Sequence, residues 1–162
     1  MSAYSTTLSL SKPVIVNYKG IQDEFLDLVE AYNEESEHDL TFDRCATYDS
    51  MCGYITSEDA EIILLLVGHH VVGFAIYTVE SIWTHEELGN IFMFYIAPAY
   101  RNNQHSKELM ARLIYEFKCR SLTKVFASSI TNAGERCARS YATFLLRSGF
   151  KPAGHAFMWE AE

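Results

Sequence analysis

Hydrophobic positions change their period several times along the chain, which predicts helices alternating with strands. The alternating β-branched residues of PVIVNY indicate a first strand over residues 13–18, and Gly20 ends it. Residues 38–57 are polar and aromatic, and we expect a short helix and a loop there. Between these two segments, apolar residues at helical spacing on an acidic background predict a helix: Ile21, Phe25, Leu28, Val29 and Tyr32.

The middle of the chain predicts three strands. AEIILLLVG and VVGFAIYTVE flank the dipeptide HH and are typical of a β-hairpin. The third run, NIFMFYIAP, is almost continuously apolar, as in a central strand covered on both faces, and it ends at Pro98.

Two helices and two strands complete the predicted order. A helix over about residues 104–120 carries an apolar stripe, and KVFASSI is a strand. A second helix covers about residues 133–148 with Gly149 as its C-terminal cap, and HAFMWE is the last strand. The order β, α, uncertain segment, β-hairpin, β, α, β, α, β predicts an α/β fold with a mixed sheet. We expect one domain over residues 1–162, with residues 1–12 flexible or extended.

Composition narrows the functional classes. The chain is 49% hydrophobic, which is enough for a core, and its net charge is −8. That charge argues against general binding to nucleic-acid phosphates, which needs clustered Lys and Arg. It is compatible with a cationic substrate or a basic partner, although plain solubility explains it more simply.

The cysteines and the apolar runs bear on the cellular compartment. The four cysteines are Cys45, Cys52, Cys119 and Cys137, and no two of them form a CxxC pair, so no metal site is predicted. The polar start MSAYSTTLSLSK is unlike a signal peptide. No apolar run approaches the roughly 20 residues of a membrane helix. We therefore expect a cytoplasmic protein with reduced thiols and no membrane partner.

Candidate chemistry concentrates in FYIAPAYRNNQHSKELM, where a strand ends at Pro98 and a polar segment leads into a helix. A helix start offers unpaired backbone N–H groups and a partial positive charge, and both suit a pyrophosphate. Arg101 adds a permanent positive charge with forked donors. The layout predicts an anion-binding loop, although an ordinary connection between a strand and a helix has the same spacing.

This stretch resembles the acyl-CoA motif of the GCN5-related N-acetyltransferase (GNAT) superfamily, V-x-P-x-[YF]-R-G-x-G-x-G/A-x-x-L-[LM]. The positions that agree without a gap are Ile96, Pro98, Tyr100, Arg101, Leu109 and Met110. The order of elements, Asn132 after the following strand, and the closing segment FLLRSGFKPAG are also similar to the family. The resemblance implies a GNAT-like mixed, mostly antiparallel sheet flanked by helices.

The function that the resemblance implies is acyl-CoA-dependent N-acyl transfer, from acetyl-CoA directly to a primary amine and without a metal. The implied acceptor is a small amine or a protein amine, and a homodimer is compatible with the resemblance. The cofactor arm would follow the strand end, and the phosphates would meet the loop and helix start. The residues implied in cofactor binding are Phe94, Tyr95, Ile96, Arg101, Asn102, Asn103, Gln104, His105, Ser106, Lys107 and Asn132.

The loop departs from the family pattern where Asn102, Gln104 and Ser106 replace Gly, Gly and Gly/Ala. Glycine lets the backbone approach a phosphate closely, so these changes would weaken acyl-CoA binding, above all at Gln104. Leu145 also stands where many family members have a tyrosine. The departures support a second interpretation, a catalytically impaired GNAT-fold protein that binds a basic partner. A third, an acidic mimic of nucleic acid, rests only on the charge.

Three residues are candidate catalytic groups. Tyr141 lies one helical turn before Leu145 and would donate a proton to the leaving thiolate, unless it is simply a packed aromatic. Glu80 and His85 are candidate bases, although both also fit solvated charges near loops. Asn132 would either contact the cofactor or cap the last helix.

Acceptor specificity is expected from residues 34–57 and 82–90, which lie around the groove in the implied fold. Aromatic side chains in these segments would either line an acceptor pocket or simply pack. They are Phe42, Tyr48, Tyr54 and Trp83.

Overall fold

The computed structural model describes residues 19–36, 41–81, 86–101, 103–128, 134–154 and 156–160. The helices and strands in this part of the chain are, in order, α1 (Lys19–Glu35), α2 (Arg44–Thr56), β1 (Ala60–Val67), β2 (His70–Ser81), β3 (Glu87–Ile96), a 3-10 turn (Pro98–Tyr100), α3 (Asn103–Cys119), β4 (Lys124–Ser128), α4 (Gly134–Arg147), β5 (Lys151–Ala153) and β6 (Ala156–Glu160). The strand predicted over residues 13–18 lies outside the described residues.

The described strands form a six-stranded sheet in the order β1-β2-β3-β4-β6-β5. Neighbouring strands are antiparallel except β3 and β4, which run parallel. A parallel pair needs a long crossover connection, and α3 supplies it. The predicted mixed, mostly antiparallel sheet is therefore confirmed, and β3 lies inside it, as its apolar run indicates.

Two hydrophobic clusters cover the two faces of the sheet. On one face, α3 and α4 pack against the strands, and Leu109, Leu113 and Leu145 are fully buried there. On the other face lie α1 and α2, where Phe25 meets Phe74 edge to face with ring centroids 5.2 Å apart. Side chains alternate between the two faces along a strand. The buried residues of β2 and β3 therefore pack either against α3 and α4 or against α1 and α2.

The helix α2 confirms the short helix expected within residues 38–57. Asp43 caps it, since one carboxylate oxygen accepts hydrogen bonds from the N–H groups of Cys45 (2.9 Å) and Ala46 (3.0 Å). Arg44 follows the cap and joins α2 to α1 through an ion pair of 2.7 Å with Asp27. The two helices are thereby held side by side over the same face of the sheet.

Some local details differ from the sequence-based expectation. The hairpin turns at Gly68 and His69, because Gly68 adopts the positive φ (64°) of the turn and His70 already pairs with Val67. The edge strand β5 has only three residues and contains Pro152, so the pattern does not reveal it. Gly149 has φ 91° after the end of α4, and the predicted cap is confirmed.

Candidate active site

Within the described residues, the central strand β3 has a strand partner on both sides for only part of its length. It pairs with β2 from Glu87 to Ile96, but with β4 only over residues 88–91. Within the described residues, the edge of residues 92–96 that faces β4 therefore has no strand partner. Backbone N–H and C=O groups inside a protein are nearly always paired, so such an edge can hydrogen-bond an extended ligand.

A β-bulge marks the place where β3 and β4 part. Tyr77 of β2 faces Ile91 and Ile76 faces Met93, so Phe92 has no opposite residue. In consequence, the side chains of Phe92 and Met93 both face α1 and α2, and Phe92 is 48% exposed. A bulge of this kind re-aims side chains, here toward the space between the two helices.

The three strand-end residues named from the sequence are packed through their side chains. Phe94 contacts the ring of Tyr141 on α4, with centroids 6.0 Å apart. Tyr95 points to the opposite face, 5.8 Å from the ring of Tyr32, and Ile96 is buried in the cluster under α3. Only the backbone of this segment is left to meet a ligand, which is the role that the resemblance implies.

Arg101 follows the strand end and is held by three groups. Its Nε donates to the carbonyl of Ile96 (2.7 Å), and its Nη2 pairs with Glu35, the last residue of α1, at 2.6 Å. The guanidinium also lies 5.2 Å from the centroid of the Tyr95 ring. The Tyr95 hydroxyl donates to Glu35 (2.8 Å), and burial together with this carboxylate raises the pKa of Tyr95 to about 12. Arg101 thus lies at the predicted phosphate loop but already has an acidic partner.

The first turn of α3 contains the other loop residues. The Gln104 side chain donates to Glu108 (2.7 Å), so it lies along the helix and not over its N-terminus. His105 is buried beside the same carboxylate, with Nδ1 3.6 Å from it. Ser106 is half-buried and Lys107 is exposed. The side chain hardest to reconcile with a phosphate loop, that of Gln104, therefore has a partner one turn along the helix.

Tyr141 and Tyr32 approach β3 from its two faces. Tyr141 packs on Phe94, and Tyr32 packs on Tyr95, the next residue along the strand. Burial raises the pKa of Tyr141, and the phenol of Tyr32 raises it further. Burial also raises the pKa of Tyr32. Leu145, at the family's tyrosine position, is fully buried in the core instead.

A cleft of about 530 Å³ lies between α1 and α2 and ends on the bulge of β3. Phe92 and Met93 line it from the strand, and the Phe92 ring is 5.8 Å from that of Tyr54 on α2. Phe42 and Tyr32 also line it. Of the aromatic residues predicted for an acceptor pocket, Phe42 and Tyr54 line this cleft, whereas Tyr48 is exposed on α2 outside it. Trp83 lies outside the described residues.

One further predicted site residue, Glu80, lies away from the open strand edge. Glu80 is exposed and pairs with Leu88, on the far side of the bulge from the open strand edge. It is four residues along β2 from Ile76, which corresponds to about 13 Å at the usual rise of a strand. His85, Asn102 and Asn132 lie outside the described residues.

The sequence interpretation missed two residues of the site, Tyr32 and Glu35. Both belong to α1 and lie three positions apart, so they share one side of that helix. Tyr32 carries a sequence signal, since it falls on the apolar stripe, but the stripe indicates packing alone. Nothing local connects Glu35 to Arg101, 66 positions later.

The described residues contain no group of three or more His, Cys, Asp or Glu arranged to hold a metal ion. No helix in the described part of the chain is long and apolar enough to cross a membrane.

Comparison with known proteins agrees with this geometry. The model of the acetyltransferase (GNAT) family matches residues 22–144. Similar solved structures include PaiA N-acetyltransferase from Thermoplasma acidophilum in complex with coenzyme A (TM-score 0.69, 10% identity, 96% of this chain and 99% of that chain). Another is aminoglycoside N-acetyltransferase AAC(6')-Iy in complex with CoA (TM-score 0.73, 10% identity, covering 94% of this chain and 93% of that chain). A third is a GNAT acetyltransferase from Staphylococcus aureus Mu50 (TM-score 0.69, 12% identity, covering 96% of this chain and 99% of that chain).

These identities are low, so the structural similarity shows the fold alone. No curated protein sequence gives a significant match.

Proposed function

Because the chain belongs to the acetyltransferase (GNAT) family, we propose that it transfers an acetyl group from acetyl-CoA directly to a primary amine. The observation that carries this proposal is the open edge of β3 over residues 92–96. It lies between the phenol of Tyr141 on one face of the sheet and the cleft on the other. Donor and acceptor would therefore meet at one point from different directions.

The donor side fits acetyl-CoA through backbone and charge. The unpartnered backbone of residues 92–96 would hydrogen-bond the amides of the pantetheine arm, and a backbone N–H there would polarise the thioester carbonyl. The start of α3, with residues 101–107, would receive the pyrophosphate. Two structural neighbours solved with CoA, PaiA and AAC(6')-Iy, support the choice of cofactor.

The proposed reaction is a direct displacement. The lone pair of the amine nitrogen forms a bond to the thioester carbonyl carbon, the C–S bond breaks, and the amine loses a proton. Tyr141 would donate its phenolic hydrogen to the leaving sulfur, since a phenol carries its proton at neutral pH. Glu80 and His85 remain predictions for the base. Glu80 would need a water chain to act, because of its distance along β2.

Isothermal titration of acetyl-CoA into the purified protein tests the donor side, and thiol release in the presence of amines tests the reaction. We expect saturable heat and amine-dependent release of CoA. No heat and no thermal shift at millimolar acetyl-CoA would exclude the proposal.

The second candidate is a catalytically impaired GNAT-fold protein that binds a basic partner. It is favoured by the ion pair that engages Arg101 and by the burial of Leu145 at the family's tyrosine position. Acetyl-CoA binding without thiol release, across small amines and basic peptides, would support this candidate over the enzyme.

A further inference from the structure

The proposed function leaves the acceptor class open, and the cleft between α1 and α2 bears on it. We infer that the acceptor is a small monoamine with an apolar, ring-sized body, packed against the exposed side of Phe92. The part of this inference that concerns acetylation of the amine rests on the proposed function. The part that concerns binding of the amine in the cleft does not.

The size of the cleft favours a small molecule. Its volume of about 530 Å³ lies within the roughly 300–1,000 Å³ that is usual for small-molecule sites. The cleft also ends on the part of β3 where the open edge begins, at Phe92 and Met93. A ligand filling it would therefore present one end to the place proposed for the thioester.

The lining next to β3 is aromatic and partly uncovered. The rings of Phe92 and Tyr54 pack on each other, with centroids 5.8 Å apart and planes inclined at 46°, and together form an aromatic wedge at the β3 end of the cleft. Phe92 is 48% exposed although it belongs to a strand inside the sheet, because the bulge turns it outward. Aromatic pairs are favourable at centroid distances of about 4.5–7 Å in inclined arrangements. A ligand ring beside Phe92 would gain such contacts and remove apolar surface from water.

The described lining of the cleft offers little charge to hold a polycation. Among the described residues that line it, Asp43 is the only charged one. One oxygen of that carboxylate already accepts two backbone N–H groups at the start of α2. A polyamine or an aminoglycoside would bring several positive charges, and burying charges without partners is costly.

A rate comparison tests the inference. With saturating acetyl-CoA, thiol release is measured for 2-phenylethylamine, spermidine, kanamycin and a peptide with uncharged side chains and a free N-terminus. We expect kcat/KM for 2-phenylethylamine to exceed each of the others by about tenfold or more, the scale of one aromatic contact with its buried area. A higher kcat/KM for spermidine, kanamycin or the peptide would overturn the inference.

Variants of Phe92 test whether the preference for 2-phenylethylamine comes from the aromatic lining of the cleft. Phe92→Ala should lower kcat/KM for 2-phenylethylamine about tenfold while the KM for acetyl-CoA stays within about twofold. Phe92→Tyr keeps the ring and should restore the rate. The matched control is Tyr115→Ala, at an exposed aromatic residue of α3 away from the cleft, which should change neither quantity. An equal loss for 2-phenylethylamine and spermidine in Phe92→Ala would contradict the assignment.

Equilibrium dialysis separates this inference from the proposed function. 2-Phenylethylamine is dialysed against the wild type and Phe92→Ala, with CoA present and absent. Binding to the wild type that weakens in the variant supports the inference, even if acetyl-CoA gives no heat and the proposed function fails. No binding to the wild type overturns the inference, even if acetyl-CoA binds and another amine is acetylated.

Discussion

Arg101 and Glu35 form an ion pair of 2.6 Å between the predicted phosphate loop and the last residue of α1. Their side chains are 42% and 38% exposed, and pairs exposed to this degree contribute about 0–1 kcal/mol. A pyrophosphate could therefore displace Glu35 from Arg101 at little cost. The pair also joins α1, which lines the cleft, to the loop proposed for the cofactor.

The first prediction concerns this competition. Glu35→Gln should lower the Kd of CoA by up to about fivefold, because the carboxylate that competes for Arg101 is neutralised at a cost of at most about 1 kcal/mol. Arg101→Ala should raise the Kd, and calorimetric titration measures both. An unchanged Kd in Arg101→Ala would mean that Arg101 serves only the ion pair.

The second prediction concerns Tyr141. Tyr141→Phe keeps the ring packed on Phe94 but removes the hydroxyl, so kcat should fall about a hundredfold, within the usual range for a lost general acid. The KM for acetyl-CoA should change little, and steady-state kinetics measures both quantities. Tyr115→Phe, on the exposed side of α3, is the matched control. A Tyr141→Phe variant with normal kcat would leave Tyr141 as a packing residue.

The third prediction concerns the loop residue Gln104. Gln104→Ala should leave the Kd of CoA within about twofold, since the side chain contacts Glu108 along α3 and alanine is a good helix former. Isothermal titration is again the measurement. A large gain in affinity would show that the glutamine obstructs the phosphate site after all.

The fourth prediction concerns the cap of α2. Asp43→Ala should lower the free energy of unfolding by about 1 kcal/mol, because two N–H groups lose their acceptor. Asp43→Asn should lower the free energy of unfolding much less, since asparagine caps a helix about as well as aspartate does. Urea denaturation compares the two variants, and equal losses would argue against the cap.

The fifth prediction concerns alkaline pH. The pKa of Tyr95 is raised to about 12 from its ordinary value of about 10, so the folded state keeps a proton that the unfolded state loses. The stability associated with this group is therefore complete below pH about 10 and decreases as the pH rises toward about 12. Tyr95→Phe should flatten the decrease in that interval, as followed by urea denaturation at several pH values. An unchanged slope would contradict the burial of the phenol.

Much of the fold is local in origin and could be predicted. The apolar stripes of α1 and α3 follow the helical period, and the hairpin is marked by two apolar runs with a short turn. Gly149 ends α4 because a positive φ suits glycine. The acyl-CoA motif also depends on a contiguous stretch, so its position at the end of β3 and the start of α3 is readable from residues 94–110 alone.

The site itself depends on relationships that no local pattern contains. A one-residue bulge at Phe92 follows from the register of β3 against β2, and it turns an apolar strand residue into the wall of a cleft. Arg101 meets Glu35 only because α1 and the loop after β3 lie at the same end of the sheet. The chain by itself determined the order of elements and the likeness to an acyl-CoA motif. Only the tertiary structure decided which side chains meet there, because strand register and helix packing bring together residues that are far apart in sequence.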